Sequence, residues 1–246
     1  MRLLVTRPEP DAAALAEELR NLGQEAVLQP LLEFHVLHFD PVPIRSADGI
    51  IFTSRNAVRA LREKLDLGGI RDCPVFCVGS ETERHAREAG FKTIAATAGT
   101  AEELAAKIVA AAGPHLALVQ VTGEHQAFDL AGTLTREGLS IRTLSVYSMQ
   151  ERDAFDSDVA GELRGGNIGG AILMSPRTAE IFIGLCHRHG LLQSAKLLHY
   201  FCLASSVANR LKPLEPIYVH VAQRPNRAAL LELLSFLPTR GQDRVR

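Results

Sequence analysis

The chain of 246 residues has no tryptophan, and aromatic side chains make up only 5% of it. Few flat surfaces are therefore on offer for stacking nucleic-acid bases. It also lacks an excess of charge of either sign. Its 27 lysines and arginines face 28 aspartates and glutamates, for a formal net charge of −1, whereas a dedicated nucleic-acid binder carries a strong basic excess. No apolar run approaches the roughly 18–20 residues that span a bilayer. The opening Met1-Arg2-Leu3-Leu4-Val5-Thr6-Arg7-Pro8 starts like a strand and has no signal-peptide layout. The four cysteines, Cys73, Cys77, Cys186 and Cys202, lie in or beside apolar stretches and make no disulfide framework in a chain this long. A soluble cytoplasmic protein with no nucleic-acid or membrane partner is expected.

Several signatures are also missing. No two glycines stand two residues apart, so there is no G-x-G-x-x-G, and the pairs Gly165-Gly166 and Gly169-Gly170 precede a strand where a dinucleotide fingerprint must follow one. No phosphate-binding Walker loop, nucleophile elbow or H-E-x-x-H helix occurs. Cys73 and Cys77, at the start of a predicted strand, could share a face and hold a metal with further ligands. Cys186-His187-Arg188-His189-Gly190 reads either as a metal site or as a cationic helix C-terminus stopped by Gly190.

What is present is the core of a globular protein. Hydrophobic residues make up 46% and charged residues 22%, which excludes a disordered chain and allows one large domain or two small ones. Short apolar runs such as Leu3-Leu4-Val5 and Val75-Phe76-Cys77-Val78 read as buried strands, each followed by a small polar turn and an amphipathic helix. Asp11–Asn21 places Leu15, Leu19 and Leu22 on one face with Gly23 as the stop, and Thr100 and Asn226 read as N-caps.

The chain also resembles itself. Leu4-Val5-Thr6 recurs as Gln120-Val121-Thr122, and Leu15, Leu19 and Gly23 as Leu130, Leu134 and Gly138. Phe52-Thr53-Ser54-Arg55-Asn56-Ala57 recurs as Met174-Ser175-Pro176-Arg177-Thr178-Ala179. Phe76 to Ser80 returns as Phe201 to Ser205, and Thr100 and Leu104 as Asn226 and Leu230. Blocks recurring in one order indicate a duplication, with about five strands in each half forming a doubly wound parallel α/β sheet. The segment Pro30–Asp48 breaks the pattern: Leu32 to His38 alternates, and Pro41 and Pro43 follow. That leaves little room for a crossover helix, so the chain is expected to leave one sheet here and return near Tyr147–Asp153.

In such sheets ligands bind beyond the carboxyl ends of the strands. The turns there combine hydroxyl or amide side chains with helix starts: Thr6-Arg7-Pro8, Thr53-Ser54-Arg55-Asn56, Gly79-Ser80, Thr122-Gly123, Ser175-Pro176-Arg177-Thr178, Ala204-Ser205-Ser206 and Arg224-Pro225-Asn226. Each could be an N-cap and nothing more. Together, free N–H groups, helix dipoles and arginines could seat several carboxylates or phosphates.

Val5-Thr6-Arg7-Pro8, Phe52-Thr53-Ser54-x-Asn56-Ala57-Val58, Val78-Gly79, the Tyr147 region and Ser175-Pro176-Arg177-x-Ala179-Glu180 occur in an order and spacing that resemble the uroporphyrinogen-III synthase family, up to about Pro238. The resemblance implies two flavodoxin-like domains with exchanged segments, 1–32 plus 153–246 and 39–146, joined by antiparallel connecting strands 33–38 and 147–152. It implies an active site in the cleft between them. The implied reaction cyclises hydroxymethylbilane, a linear tetrapyrrole with eight carboxylates, to uroporphyrinogen III with loss of water and inversion of one ring. No metal or other cofactor is implied, and the chain is expected to be a monomer, with a possible transient contact with the upstream hydroxymethylbilane synthase. Tyr147 matches the family's implicated tyrosine; a phenol with a pKa near 10 is protonated at neutral pH and can donate to a departing hydroxyl. The remaining matched residues, Thr6, Arg7, Thr53, Ser54, Arg55, Asn56, Gly79, Ser80, Thr122, Gly123, Ser175, Pro176, Arg177, Thr178, Ala204, Ser205 and Ser206, are expected to hold the substrate.

The sequence departs from the family in three places. Thr122-Gly123-Glu124-His125-Gln126-Ala127 lacks the two arginines of a common Arg-Gly-x-x-Gly-Arg, Val207 replaces the second hydroxyl of a pair, and Ser148 stands where an arginine often follows the tyrosine. A divergent enzyme would bind carboxylates elsewhere, for example with Arg55, Arg177 or His125. The alternative is a non-catalytic two-domain protein of the same fold that binds an anionic small molecule.

Overall fold

The computed structural model describes residues 1–111, 116–126 and 128–236. Ala127 and the chain beyond Phe236, including Pro238, lie outside the described residues. The first stretch runs β1 (Arg2–Val5), α1 (Asp11–Asn21), β2 (Glu25–Leu28), β3 (Leu32–Val36) and the single turn α2 (Val42–Arg45). It continues through β4 (Gly49–Phe52), α3 (Arg55–Lys64), β5 (Val75–Val78), α4 (Ser80–Glu88), β6 (Ile94–Ala98) and α5 (Ala101–Ala111). Next come β7 (Ala117–Gly123), α6 (Leu130–Arg136), β8 (Ser140–Glu151), α7 (Ser157–Arg164), β9 (Gly170–Leu173) and α8 (Pro176–Arg188). The last stretch is α9 (Leu192–Ala195), β10 (His199–Cys202), α10 (Ser205–Ala208), β11 (Tyr218–Val221) and α11 (Arg227–Ser235).

These elements form two compact units, residues 1–33 with 150–246 and residues 34–149. One sheet has the order β2-β1-β9-β10-β11, every pair parallel. The other has the order β3-β8-β7-β4-β5-β6, parallel from β8 to β6. Its sixth strand is β3, where about five strands were expected. Backbone bonds from Arg152 to Leu31 and from Leu37 to Val146, at 3.1 and 2.9 Å, run the β3 segment antiparallel to β8. The return strand β8 is twelve residues long and belongs to the sheet throughout, so the two connecting segments extend a sheet. The two prolines leave room for one helical turn, in which Pro41 caps α2 and Pro43 lies within it.

Both sheets are buried on both faces, which explains strands that read as continuous apolar runs. Alternate side chains of one strand serve different cores. Leu4 packs with α8 residues Phe182, Leu185 and Cys186, while Leu3 and Val5 pack with Leu15, Leu19, Leu230 and Leu234 of α1 and α11. In the second sheet Ile50 and Phe52 face Val58 and Leu61 of α3, and Ile51 faces Leu104, Ile108, Leu130 and Leu134 of α5 and α6.

Helix ends follow local chemistry. The Thr100 hydroxyl accepts the Glu103 N–H at 3.2 Å and the Asn226 side chain accepts that of Ala229 at 2.9 Å, as read from sequence. Gly190 adopts φ +66° just beyond α8, so the Cys186–Gly190 run is the helix terminus. Ser175 caps α8, its hydroxyl accepting the Thr178 N–H at 3.1 Å. Ser175→Ala is expected to lower stability by about 1 kcal/mol, readable as a small, cooperative fall in thermal midpoint.

At the edge of the first sheet His199, Tyr218, His220 and Phe201 form a stacked ladder, with His199 Nδ1 and His220 Nε2 3.1 Å apart. Burial, and secondarily the charge of His199, hold the His220 pKa below its ordinary value. An unfolded histidine takes its proton near pH 6.5 while folded His220 resists it. The unfolded chain therefore binds more protons below that pH, and stability falls as the pH drops. His220→Phe keeps the stack and should flatten that acid limb in thermal unfolding between about pH 7.5 and 5; an unchanged limb would assign it to other groups.

Candidate functional site

In the second unit the connections run outward in both directions from the β7–β4 pair, from β7 to β8 on one side and from β4 through β5 to β6 on the other. That pair is the topological switch point, and the crevice beyond its carboxyl ends is where open α/β sheets bind ligands. Thr53 follows β4 and Thr122 lies in β7, with hydroxyl oxygens 3.3 Å apart. A pocket of about 370 Å³ opens there, its wall including Thr53, Ser54, Gln120, His125, Gln126 and Tyr147.

The position of Tyr147 follows from an irregularity in the sheet. Thr122 pairs with Ser145 but Gly123 pairs with Tyr147, a register shift between β7 and β8 that re-aims the side chain. The ring lies over Gly123, where a built Cβ would come within 2.6 Å of its Cζ. Phe34 stacks on it at 5.5 Å and 29°, and Tyr147 is only 9% exposed. Among the described residues nothing bonds its hydroxyl, while its backbone carbonyl accepts the Glu124 N–H at 3.0 Å. The phenol is thus held by packing, with its O–H uncommitted.

The other expected residues of this unit surround the starts of α3 and α4. Ser54 caps α3 by accepting the Asn56 N–H at 3.1 Å, and Asn56 Nδ2 lies 3.9 Å from Met149 Sδ. Arg55 approaches Glu81 at 3.9 Å. The first turn of α3 carries no acidic residue, so the positive end of its dipole is uncompensated and suits an anion. Gly79 and Ser80 open α4, whose first turn already holds Glu81 and Glu83. Both carboxyls sit below their ordinary pKa, Glu81 chiefly through its bond from Arg84 and Glu83 chiefly through that from the Thr97 hydroxyl. That end of α4 is therefore less inviting to a further negative charge than α3.

In the first unit several expected side chains are already engaged. Thr6 is 1% exposed and donates to the Ile172 carbonyl at 2.8 Å, tying β1 to β9. The expectation of a ligand-facing hydroxyl there is corrected. Arg7 pairs with Asp11 and lies 3.7 Å from Met174 Sδ. Arg177 pairs with Glu151 at 3.1 Å. Pro176, at the first position of α8, has no N–H to offer, and Thr178 is bonded to Ser175. The first turn of α8 has no acidic residue. Ala204 precedes α10, Ser205 and Ser206 are exposed at its start, and Val207 is buried.

The cysteines are chemically quiet. Burial pushes the thiols of Cys77, Cys186 and Cys202 up to about 12, and that of Cys73 to about 11, far from the thiolate range of a nucleophile. The sequence reading missed Gln120 and Gln126 in the pocket wall. One signal was available: Gln120 is the lone polar residue within Leu118-Val119-Gln120-Val121.

Comparison with known proteins places this architecture. In the crystal structure of a uroporphyrinogen-III synthetase from Helicobacter pylori, 20% identical, the aligned part covers 95% of this chain and 98% of that one with a TM-score of 0.63. A mutant uroporphyrinogen III synthase from Thermus thermophilus aligns over 95% of this chain and 96% of its own at 17% identity and a TM-score of 0.54. At these identities the likeness establishes the fold. A porphyrin biosynthesis protein HemD from Ruminiclostridium josui is 30% identical over 101 residues, which is 37% of this chain but only 20% of the length of that relative. The family model described as uroporphyrinogen-III synthase HemD matches residues 13–232, nearly nine-tenths of the sequence, and the chain belongs to that family.

Proposed function

We propose that the chain converts hydroxymethylbilane to uroporphyrinogen III, with Tyr147 as the proton donor to the departing hydroxyl. Family membership supports the reaction. The observation that carries the role of Tyr147 is an uncommitted phenol O–H fixed over Gly123 in the wall of the switch-point pocket. As the C–O bond breaks, the pyrrole nitrogen supplies electrons, the phenol supplies the proton, and water leaves. The resulting azafulvene is attacked by the substituted carbon of the far ring to give a spiro intermediate. This fragments by breaking the far ring's original bridge bond and recloses at the unsubstituted carbon on that ring's other side, and the proton lost from this unsubstituted carbon restores the phenol. Pyrroles supply the electron push, so the chain's contribution is to fold the substrate, hold its carboxylates and place one proton. The acid-free first turn of α3, with Arg55 beside it, is the proposed carboxylate seat. We further propose that it acts as a monomer in the cytoplasm, receiving its substrate through transient contact with the preceding synthase.

We also infer that the chain is a duplication with exchanged segments. The repeated blocks equate β1 with β7, β4 with β9 and β5 with β10. With those equivalences the orders β2-β1-β9-β10-β11 and β8-β7-β4-β5-β6 are the same order, each combining two strands of one half with three of the other. Further support comes from matching details: Ser54 and Ser175 cap equivalent helices, and Gly49 and Gly170 open equivalent strands.

The test mixes freshly generated hydroxymethylbilane with the purified chain, oxidises the product and separates the porphyrin isomers. Spontaneous closure gives isomer I, so a protein-dependent excess of isomer III is expected. Isomer I alone, at the background rate, would refute the assignment and favour a non-catalytic binder.

A further inference from the structure

The middle of β7 carries a polar group that folding does not explain. Gln120 is fully buried, in register with Ile51 of β4 on one side and Thr143 of β8 on the other. Its Nε2 donates to Gln126 Oε1 at 2.9 Å, but its own Oε1 is buried with no hydrogen-bond partner. Leaving a buried carbonyl unpaired costs free energy that a leucine of similar size would avoid. A polar residue kept at that cost in an apolar strand is informative in a way that an exposed one is not. The same side chain forms part of the wall of the pocket that holds Tyr147, Thr53 and His125.

We propose that Gln120 is a specificity-determining residue whose amide oxygen accepts an N–H from the bound ligand. On the reading of the preceding section, on which this rests, that donor is a pyrrole N–H of the substrate. The chemistry of the atom makes the choice: an unpaired amide oxygen attracts a donor and repels a carboxylate, so it reads the ring of a pyrrole and not its acidic side chains. Gln126 is exposed and lies in the segment between β7 and α6 that belongs to neither helix nor strand. It holds the other end of the amide, which leaves the oxygen as the free group. A site built to pair with an N–H discriminates against an analogue lacking it, because the buried acceptor is then left unpaired.

The test compares hydroxymethylbilane with an analogue methylated at a single pyrrole nitrogen, made for each ring in turn, on the wild type, Gln120→Met and Gln126→Ala. For the wild type, methylation at one ring is expected to raise KM about tenfold, the worth of one buried hydrogen bond. Gln120→Met, which keeps the volume and removes the acceptor, should show a KM for the natural substrate raised by about the same factor, with kcat within about twofold, and no discrimination left. Gln126→Ala should keep the ratio of the two KM values, because the acceptor belongs to Gln120, and it serves as the decisive variant if Gln120→Met fails to fold. A wild type indifferent to methylation at every ring overturns the proposal. So does a Gln120→Met protein that still discriminates, or a Gln126→Ala protein that no longer does. Production of isomer III by the wild type is scored in the same reactions, so failure of the N–H contact is distinguishable from failure of the synthase assignment.

Discussion

Gly123→Ala is expected to abolish most turnover although it adds a single methyl group. The new Cβ would stand 2.6 Å from Tyr147 Cζ, 2.8 Å from Cε2 and 3.0 Å from the hydroxyl oxygen, the first two closer than non-bonded carbon tolerates. The ring has little freedom to retreat, because Phe34 stacks on it and Val146 beside it belongs to the core. Yielding moves the hydroxyl by about an ångström, and a misplacement of that size can cost about 100-fold in rate. Tyr147→Phe isolates the chemistry: it keeps the packing and removes the O–H. Loss of a positioned proton donor should lower kcat by about 100-fold or more while KM stays nearly constant, since the interaction belongs to the transition state. The double variant should be no slower than Tyr147→Phe alone, because both changes remove the same group. A Gly123→Ala enzyme with wild-type kcat would show that the phenol does not need its observed place. A Tyr147→Phe enzyme with wild-type kcat would pass the proton to water or to a substrate carboxylate.

What the sequence revealed depended on the range of the interaction that decided each feature. The α1 boundaries were legible because Leu15, Leu19 and Gly23 are local signals, and the caps at Thr100 and Asn226 are bonds to residues three positions on. Strand β8 was hard to see because five of its twelve residues are exposed and polar, Arg142 and Thr143 among them; its pairing with β7 defines it, not its composition. Thr6 and Thr53 follow strands in nearly the same way, yet one donates to Ile172 and the other meets Thr122. That difference is set by the neighbouring strand, which one-dimensional reading does not supply. Arg7 and Arg177 read as free cations until Asp11 and Glu151 are placed beside them. Tyr147 was found through the family pattern, whereas the register shift that seats it is a property of the sheet.

The largest loss of stability is expected from Gly170→Ala, and the reason lies in which atoms are near. Gly170 opens β9, which is flanked on one side by β1 and on the other by β10. A Cβ there would lie 2.7 Å from the His199 backbone carbonyl oxygen, with Phe201 Cε2 at 3.0 Å and Leu3 Cδ2 at 3.1 Å. The first of these is main chain in a hydrogen-bonded sheet, so relief requires moving a strand. Overpacking of this kind costs about 1–3 kcal/mol, sometimes more, and we expect the upper end. In a unit of this size that is a fall of roughly 8–12 °C in thermal midpoint. Gly49, which opens β4, provides the comparison: its nearest atoms are the Leu118 Cδ2 at 2.8 Å and Phe76 Cε2 at 3.0 Å, with backbone no closer than 3.6 Å. Side chains can rotate away, so Gly49→Ala should cost about 1 kcal/mol. Gly184, within α8, has nothing inside 4 Å of a built Cβ, and there alanine should stabilise by about 0.5–1 kcal/mol through helix propensity. The three midpoints should therefore fall in the order Gly184→Ala above wild type, Gly49→Ala below it and Gly170→Ala lowest. Equal losses at Gly49 and Gly170 would mean that the sheet backbone yields as readily as a side chain, and that the close approach at β9 is not what requires glycine there.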